Sequence, residues 1–268
     1  MSEISVRLPD GNTLVVSHGS TVLQVAERIG PGLAKAALAG RINGQVVDLR
    51  SPLYEDTAIE IVTAKSEDGG DVIRHSAEHV MADAVKRLFP NAQVDAGRAD
   101  HSEKFQYDFL VAEPFTPEDL ERIEKEMQAI IAEDKPFTRE VVARDDAKAR
   151  FQSMGEELKL SRIDDIPEDA EITLFGHGAF TDLCRGPHVG STKQIGAIKL
   201  TEASGTYFRG DESSHKLQRI YGTAFSNKKE MKSHLARIEE AKKRDHRRVG
   251  VALDLYHMDA VSPGSPLY

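Results

Sequence analysis

Cysteine is nearly absent from this chain: Cys184 is the only one in 268 residues. One thiol excludes an internal disulfide framework and fits a reducing compartment, so a cytoplasmic protein is expected. Long apolar runs are also missing. No stretch approaches 18 consecutive apolar residues, and no membrane span is expected. The opening MSEISVRLPDG has neither a basic nor an apolar signal region, so no secretory signal is expected. Positive charge is in deficit, with 35 Lys and Arg against 44 Asp and Glu and a formal net charge of −9. That argues against a wholesale nucleic-acid coat while leaving room for a local basic surface. No internal repeat or low-complexity tract stands out. What remains is 40% hydrophobic and 29% charged, a globular composition long enough for one large domain or two ordinary ones.

Periodicity divides the chain. In residues 1–64, ISVRL, PDGN and TLVV read as strand, tight turn and strand. Thr21 can cap a helix carrying Val22, Val25, Ala26 and Ile29, stopped by Gly30 and Pro31. Two further strand-like runs, GQVVDL and AIEIVTA, complete a pattern that suggests a ubiquitin-like β-grasp. KSEDGGD at 65–71 is polar and Gly-rich, a plausible linker. A second unit, 71–225, holds helices and then strands. FTPEDLERIEKEMQAIIAED has Thr116 as N-cap, Pro117 at the first helical position and Asp119 placed for a capping box. TREVVA follows as a strand and DDAKARFQSMG as a short helix ended by Gly155. EITLF, AFTDL, AIKLTEA, TYFRG and KLQRIYGTAF read as an antiparallel run, so the class is α+β. At 226–247 a linker helix is expected, with Asn227 and Glu230 spaced for a cap. The stretch 226–250 carries nine Lys or Arg against four acids. It reads as a solvated connector or as a surface for a phosphate backbone, with Lys228, Lys229, Lys232 and Arg244 as candidate contacts.

The chemistry centres on IRHSAEHV at 73–80. Ile73, Ala77, Val80, Met81, Ala84, Val85 and Leu88 form a helical stripe over 73–89. His75 and His79, four apart, share one face roughly opposite the stripe. A core location is therefore not expected, which leaves a solvated face or a cleft wall. TDLCRGPHV places Cys184 and His188 four apart in a loop, since Gly186 and Pro187 lie between them. A helical pair and a loop pair could converge on one zinc ion. Alternatively, an imidazole with an ordinary pKa near 6.5 could activate water. Cys184 as nucleophile would need its thiol made acidic by a neighbouring cation such as Arg185. A metallopeptidase needs HExxH, whereas here Glu78 adjoins the second histidine.

HSAEH, TDLCRGPHV and YFRGDESSHKLQRIYGTAF, in that order, resemble the editing domain of bacterial threonyl-tRNA synthetases. GPGLAKAALAGRINGQVVDL resembles the N-terminal domain of the same family, and RDHRRVGVALDLYHMDAVSPG the start of its class II catalytic domain, here 248–268. The resemblance spans essentially the whole chain, and CRGPH and LQRIYGTA are long, specific motifs. It implies an editing centre at His75, His79, Cys184 and His188, with Lys159 in GEELK and Asp182 as further catalytic residues. Gly97 and Tyr107 correspond to pocket-lining positions, although VDAGRADHSEKFQYDF departs from the usual G-P-x-x-D-x-G-F-Y-Y-D form. The implied reaction is hydrolysis of the ester of tRNA(Thr) mischarged with serine, by a positioned water and without a required cofactor. Alanyl relatives hold zinc at the same pattern, which keeps open a non-catalytic tRNA-binding module with structural zinc on His75, His79, Cys184 and His188. Threonine activation, with ATP and Mg²⁺, is expected to need the missing catalytic domain. Full-length members dimerise through that part, which leaves a monomer as the expectation for this piece.

Overall fold

Residues 2–244 are described by the structure, a computed structural model, together with 249, 250, 253, 257, 258, 266 and 267. Alternating side chains in EISVR and TLVVS give strands β1 (Glu3–Arg7) and β2 (Thr13–Ser17), paired antiparallel. Helix α1 (Val22–Ile29) begins at a reciprocal box: the Thr21 hydroxyl accepts from the Gln24 amide, and the Gln24 side chain accepts from the Thr21 amide. A short helix α2 (Pro31–Ala36) leads into β3 (Ala37–Ile42), followed by β4 (Gln45–Val47) and β5 (Thr57–Thr63). The sheet order is β2-β1-β5-β3-β4, with β1 and β5 parallel, which is the β-grasp arrangement. Val22, Val25 and Ala26 of the helix pack onto Ile4, Val6, Val16 and Ile59 of the sheet.

Strand β3 was not expected from its sequence. ALAGRI is poor in β-branched and aromatic residues, the usual strand formers. Its small residues serve close packing instead: a Cβ at Gly40 would lie 2.7 Å from Val22 Cγ1. Nor does 65–71 form an extended linker. Helix α3 (Gly69–Leu88) starts inside that stretch, and Leu38 and Ala39 of β3 join its core together with Val62 of β5.

The rest of the first unit, which runs to Ser226, is built around α3. In chain order come β6 (Gln93–Gly97), β7 (Phe105–Leu110), α4 (Pro117–Ala132), β8 (Phe137–Val142), α5 (Arg144–Ser153), α6 (Glu157–Asp164), β9 (Ile172–His177), β10 (Phe180–Leu183), β11 (Ala197–Tyr207) and β12 (Lys216–Phe225). They form two antiparallel sheets, β11-β12-β7-β6 and β10-β9-β8, so the antiparallel run divides in two while the α+β class holds. AIKLTEA and TYFRG, expected as separate strands, do not form two: β11 runs from AIKLTEA to Tyr207 with a register shift between Leu200 and Glu202, and Phe208–Gly210 forms a 3-10 turn. Strands β6 and β7 and helix α6 had no expected counterpart. The expected helix at 116–134 does form, with its Thr116–Asp119 box and with Ile123, Met127 and Ile130 buried. Helix α3 is buried on nearly every side, because α4, β7, β12 and the β-grasp unit all pack against it.

The second unit holds α7 (Lys228–Lys243), whose N-cap Asn227 accepts from the Glu230 amide at 3.0 Å. Most of 248–268, read as the start of a catalytic domain, lies outside the described residues; within it His257–Met258 pairs with Pro266–Leu267. Among the described residues no helix is long and apolar enough to cross a membrane.

Met127 is fully buried where α4 packs in the α3 core. Met127→Ala is expected to lower unfolding free energy by about 2–5 kcal/mol, measured as a shift of the urea midpoint at unchanged slope.

Candidate functional site

Helix α3 places His75 and His79 one turn apart, with ring centroids 5.8 Å from each other. The loop after β10 brings Cys184 and His188 to them. That loop turns at Gly186, whose φ of +74° suits glycine, and a Cβ there would lie 2.6 Å from the Phe175 ring. Cys184 Sγ lies 3.2 Å from His75 Nε2 and 3.3 Å from His188 Nε2, and accepts from the Gly186 amide at 3.2 Å.

The outer nitrogens identify the tautomers. His75 Nδ1 faces the Pro187 carbonyl at 3.1 Å, so it donates there and its Nε2 carries the lone pair. Ser76 Oγ donates to the Val72 carbonyl at 2.7 Å and accepts from the Val189 amide at 3.0 Å. It therefore accepts from His188 Nδ1 at 3.3 Å, and His188 Nε2 also carries a lone pair. Two imidazole lone pairs thus converge on one sulfur. His79 is buried, with its Nδ1 unpartnered among the described residues. Its burial departs from the expectation that the pair lies off the core face; α3 has hardly any exposed face to offer.

A second cluster sits beside the first. Lys159, on α6, pairs with Asp182, on β10, at 2.5 Å. Tyr107, on β7, donates to the same carboxylate and accepts from Lys159 Nζ at 3.1 Å. All three are buried. Asp182 Oδ1 also accepts from the Leu183 amide at 2.7 Å, so this carboxylate is engaged by protein groups on both oxygens.

In the sequence Glu78 stands out only as a mismatch to HExxH. It is buried, and Oε1 accepts from the Arg98 amide at 3.0 Å and the Gln106 amide at 3.1 Å. Oε2 lies 3.1 Å from His101 Nε2. His101 in turn stacks on His75, with centroids 4.6 Å apart. Gly97 leaves room for this carboxylate: a Cβ there would lie 2.2 Å from Glu78 Oε2. The stretch that departs from the usual pocket motif therefore places a fourth histidine, His101, against the centre. The only sequence signal was that departure itself.

These residues line a cavity of about 910 Å³, reached by His75, His79, Gly97, Tyr107, Lys159 and Cys184. Asp182 and His188 are not among the lining residues and stand behind them. Burial pushes His75 below the ordinary histidine range, opposed by the Glu78 charge and the Pro187 bond. His188 is pushed well below it, by burial and then by His79 and His75. Burial would raise the Asp182 carboxyl, but Lys159, His79 and Tyr107 outweigh it and hold it below the usual value. Tyr107 is raised well above its ordinary value, by burial and then by Asp182.

The ligand atoms of His75, His79, Cys184 and His188 lie within 4.8 Å of one another. Neutral imidazoles and a thiolate are the donor set zinc takes, so these four residues could hold it. His75, Glu78 and His101 also lie within that distance, yet the His75 and His101 rings are stacked rather than pointing at a common centre. In the second unit, Lys228, Lys229 and Lys232 are exposed on the first turns of α7, and Arg244 pairs with Glu240 at 2.9 Å.

Residues 4–63 match the TGS domain, and residues 171–221 match the threonyl and alanyl tRNA synthetase second additional domain. The chain is similar to proteins named threonine–tRNA ligase from Burkholderia multivorans and Burkholderia lata, at 51% identity over 261 residues. The same figures hold for Paraburkholderia phymatum. In each case 97% of this chain aligns with 41% of the relative. The chain thus spans about two fifths of the length of the relatives it matches, and corresponds to their N-terminal region.

Removing Lys159 would leave Asp182 buried without its counter-charge. Lys159→Ala is expected to cost about 3–5 kcal/mol of stability, with Lys159→Ala/Asp182→Ala losing less than the two single changes together. Equal additivity in that denaturation cycle would refute the coupling. The lowered histidines also set a pH dependence. Above about pH 6.5 both folded and unfolded imidazoles are neutral; below it the unfolded chain takes up protons that the native site resists. Stability is therefore lost as pH falls from about 6.5 toward the lowered native values, and Tm should drop between pH 7 and pH 5.

Proposed function

We propose that this chain, homologous to the N-terminal region of the threonine–tRNA ligases, is their editing portion and hydrolyses the ester of tRNA(Thr) mischarged with serine. The observation that carries this is one cavity lined by the His75 imidazole, the Cys184 thiol and Lys159, with the His188 imidazole held against the thiol from behind. The physical need is a second sieve. Serine keeps the hydroxyl of threonine and lacks only a methyl, worth about 1–3 kcal/mol in a single pocket, so a synthetic site alone admits it.

The chemistry follows from the geometry. His75 lines the cavity, is held neutral and has an unprotonated Nε2, whereas His188 lies behind it. His75 takes a proton from water as the water oxygen attacks the seryl carbonyl. The resulting oxyanion is stabilised by the Lys159 ammonium, which Asp182 and Tyr107 orient. Collapse breaks the ester bond to the terminal ribose of the tRNA. His75 returns the proton to the departing oxygen, leaving serine and free tRNA. Lys228, Lys229 and Lys232 contact the tRNA backbone. Arg244 is a weaker contact, because Glu240 already pairs with it. ATP- and Mg²⁺-dependent ligation, and dimerisation, belong to the part of the ligase this chain does not match. The protein is cytoplasmic in this reading.

A second reading is supported by the unpartnered His79 Nδ1 and the clustered donors: a structural zinc in a tRNA-binding module. Zinc bound there would close a four-ligand structural site and contribute folding energy.

The purified chain is expected to release serine from Ser-tRNA(Thr) much faster than threonine from Thr-tRNA(Thr). His75→Ala should lower this rate by about 10²–10⁴-fold. Activity that survives a chelator favours the proposal. Unfolding on chelation, with one zinc per chain and no hydrolysis, would establish the second reading.

A further inference from the structure

The β-grasp unit reaches the candidate centre directly. Asp48, in the turn after β4, is buried, and its Oδ2 accepts from the His188 amide at 3.0 Å. Its Oδ1 accepts from Arg50, through the amide at 2.9 Å and Nη1 at 2.7 Å. Arg50 Nη2 then donates to the Val189 and Gly190 carbonyls, each at 3.2 Å. Three consecutive residues of the site loop, 188, 189 and 190, are thus held by two residues more than 130 positions earlier in the chain. Gln194 extends the seam: its Oε1 accepts from the Gly190 amide at 2.6 Å, and its Nε2 donates to the Ala37 carbonyl at 3.1 Å.

The opposite side of the same loop is fixed by α3. Ser76 Oγ accepts from the Val189 amide and from His188 Nδ1. The backbone of His188 therefore belongs to the β-grasp unit and its imidazole to α3. Asp48 is an unusual choice for a merely structural seam. A buried carboxylate is costly unless its acceptor positions are filled, and this one spends an oxygen on a single backbone amide of the site.

We propose that Asp48 and Arg50 are positioning residues for His188, so that the N-terminal β-grasp unit is a working part of the deacylase centre. This rests on the reading of the His/Cys cluster as that centre. Neither residue touches substrate. They set the distance between His188 Nε2 and Cys184 Sγ, and through it the alignment of His75. Displacement of such groups by about 1 Å costs on the order of 10²-fold in rate.

The test uses the full chain with Asp48→Ala, Asp48→Asn and Arg50→Gln. Seryl-tRNA hydrolysis and histidine imidazole NMR are read on each, after a melt shows the variant folded at the assay temperature. Asp48→Ala should lower kcat by about 10–100-fold with KM little changed. Asp48→Asn keeps a carbonyl acceptor for the His188 amide but turns its NH2 toward the two Arg50 donors, and should recover part of that loss. Arg50→Gln, at a half-buried side chain, removes the carbonyl clamp together with the cation opposite the buried Asp48 carboxylate, and in the folded variant should lower kcat several-fold. In both impaired variants the His188 imidazole resonances should shift. Wild-type kcat together with unmoved His188 resonances in folded Asp48→Ala, or in Arg50→Gln should Asp48→Ala not fold, would overturn the proposal. The NMR arm separates this from failure of the functional reading. A chain inactive on Ser-tRNA(Thr) whose His188 still shifts in these variants would retain the positioning role and lose the deacylase.

Discussion

The buried pair of Lys159 and Asp182 is the constraint around which the centre is organised. Its partners come from three elements: α6 brings the lysine, β10 the aspartate and β7 the tyrosine that joins them. Strand β7 belongs to the four-stranded sheet and β10 to the three-stranded one, so the cluster ties two sheets that share no strand pairing. A charge pair so enclosed contributes little net stability. What it supplies is registration: the loop that continues from β10 carries Cys184 and His188, and it departs from a strand whose last residues are pinned to the other sheet. Lys159 is held at the cavity wall by the same contacts.

Much of the fold was legible in the sequence where local patterning and tertiary packing agree. The Thr21 and Thr116 caps, the α4 stripe and the strand run KLQRIYGTAF of β12 are instances, and each element forms at or within a few residues of its expected place. Failures fall where tertiary contacts override local preference. ALAGRI is a strand because small side chains let it approach α1, not because its residues favour strands. GEELK sits at the start of an eight-residue helix too short to declare a period. The polar flank of α3 reads as facing water or a cleft, and His75 and His79 do reach the cavity; a helix packed against α4, β7, β12 and the β-grasp fold has little solvent side left, so its other polar residues are paired inward.

The site was legible as pairs and not as an assembly. Spacing joined His75 to His79 and Cys184 to His188, and the resemblance joined the pairs; nothing in periodicity said which nitrogen would face the sulfur. That information lies in Pro187 and Ser76, whose oxygens hold the outer nitrogens. Glu78 and His101 escaped notice because their significance is reciprocal. The carboxylate matters through the amides of 98 and 106, and His101 through the ring beneath it. Gly97 acquires its meaning the same way, as the absence of a side chain where a carboxylate must fit.

The seam at Asp48 and Arg50 bears on how this protein can be taken apart. Excising the 71–225 stretch at its apparent start would strip the His188 amide and the Val189 and Gly190 carbonyls of their present partners in one cut. It would also uncover the face of α3 now covered by Leu38, Ala39 and Val62. A transplant of this centre into another scaffold must therefore carry the β-grasp fold with it, or supply a substitute acceptor and clamp for that loop. Modularity in sequence, where one domain family ends at residue 63, is here not modularity in structure.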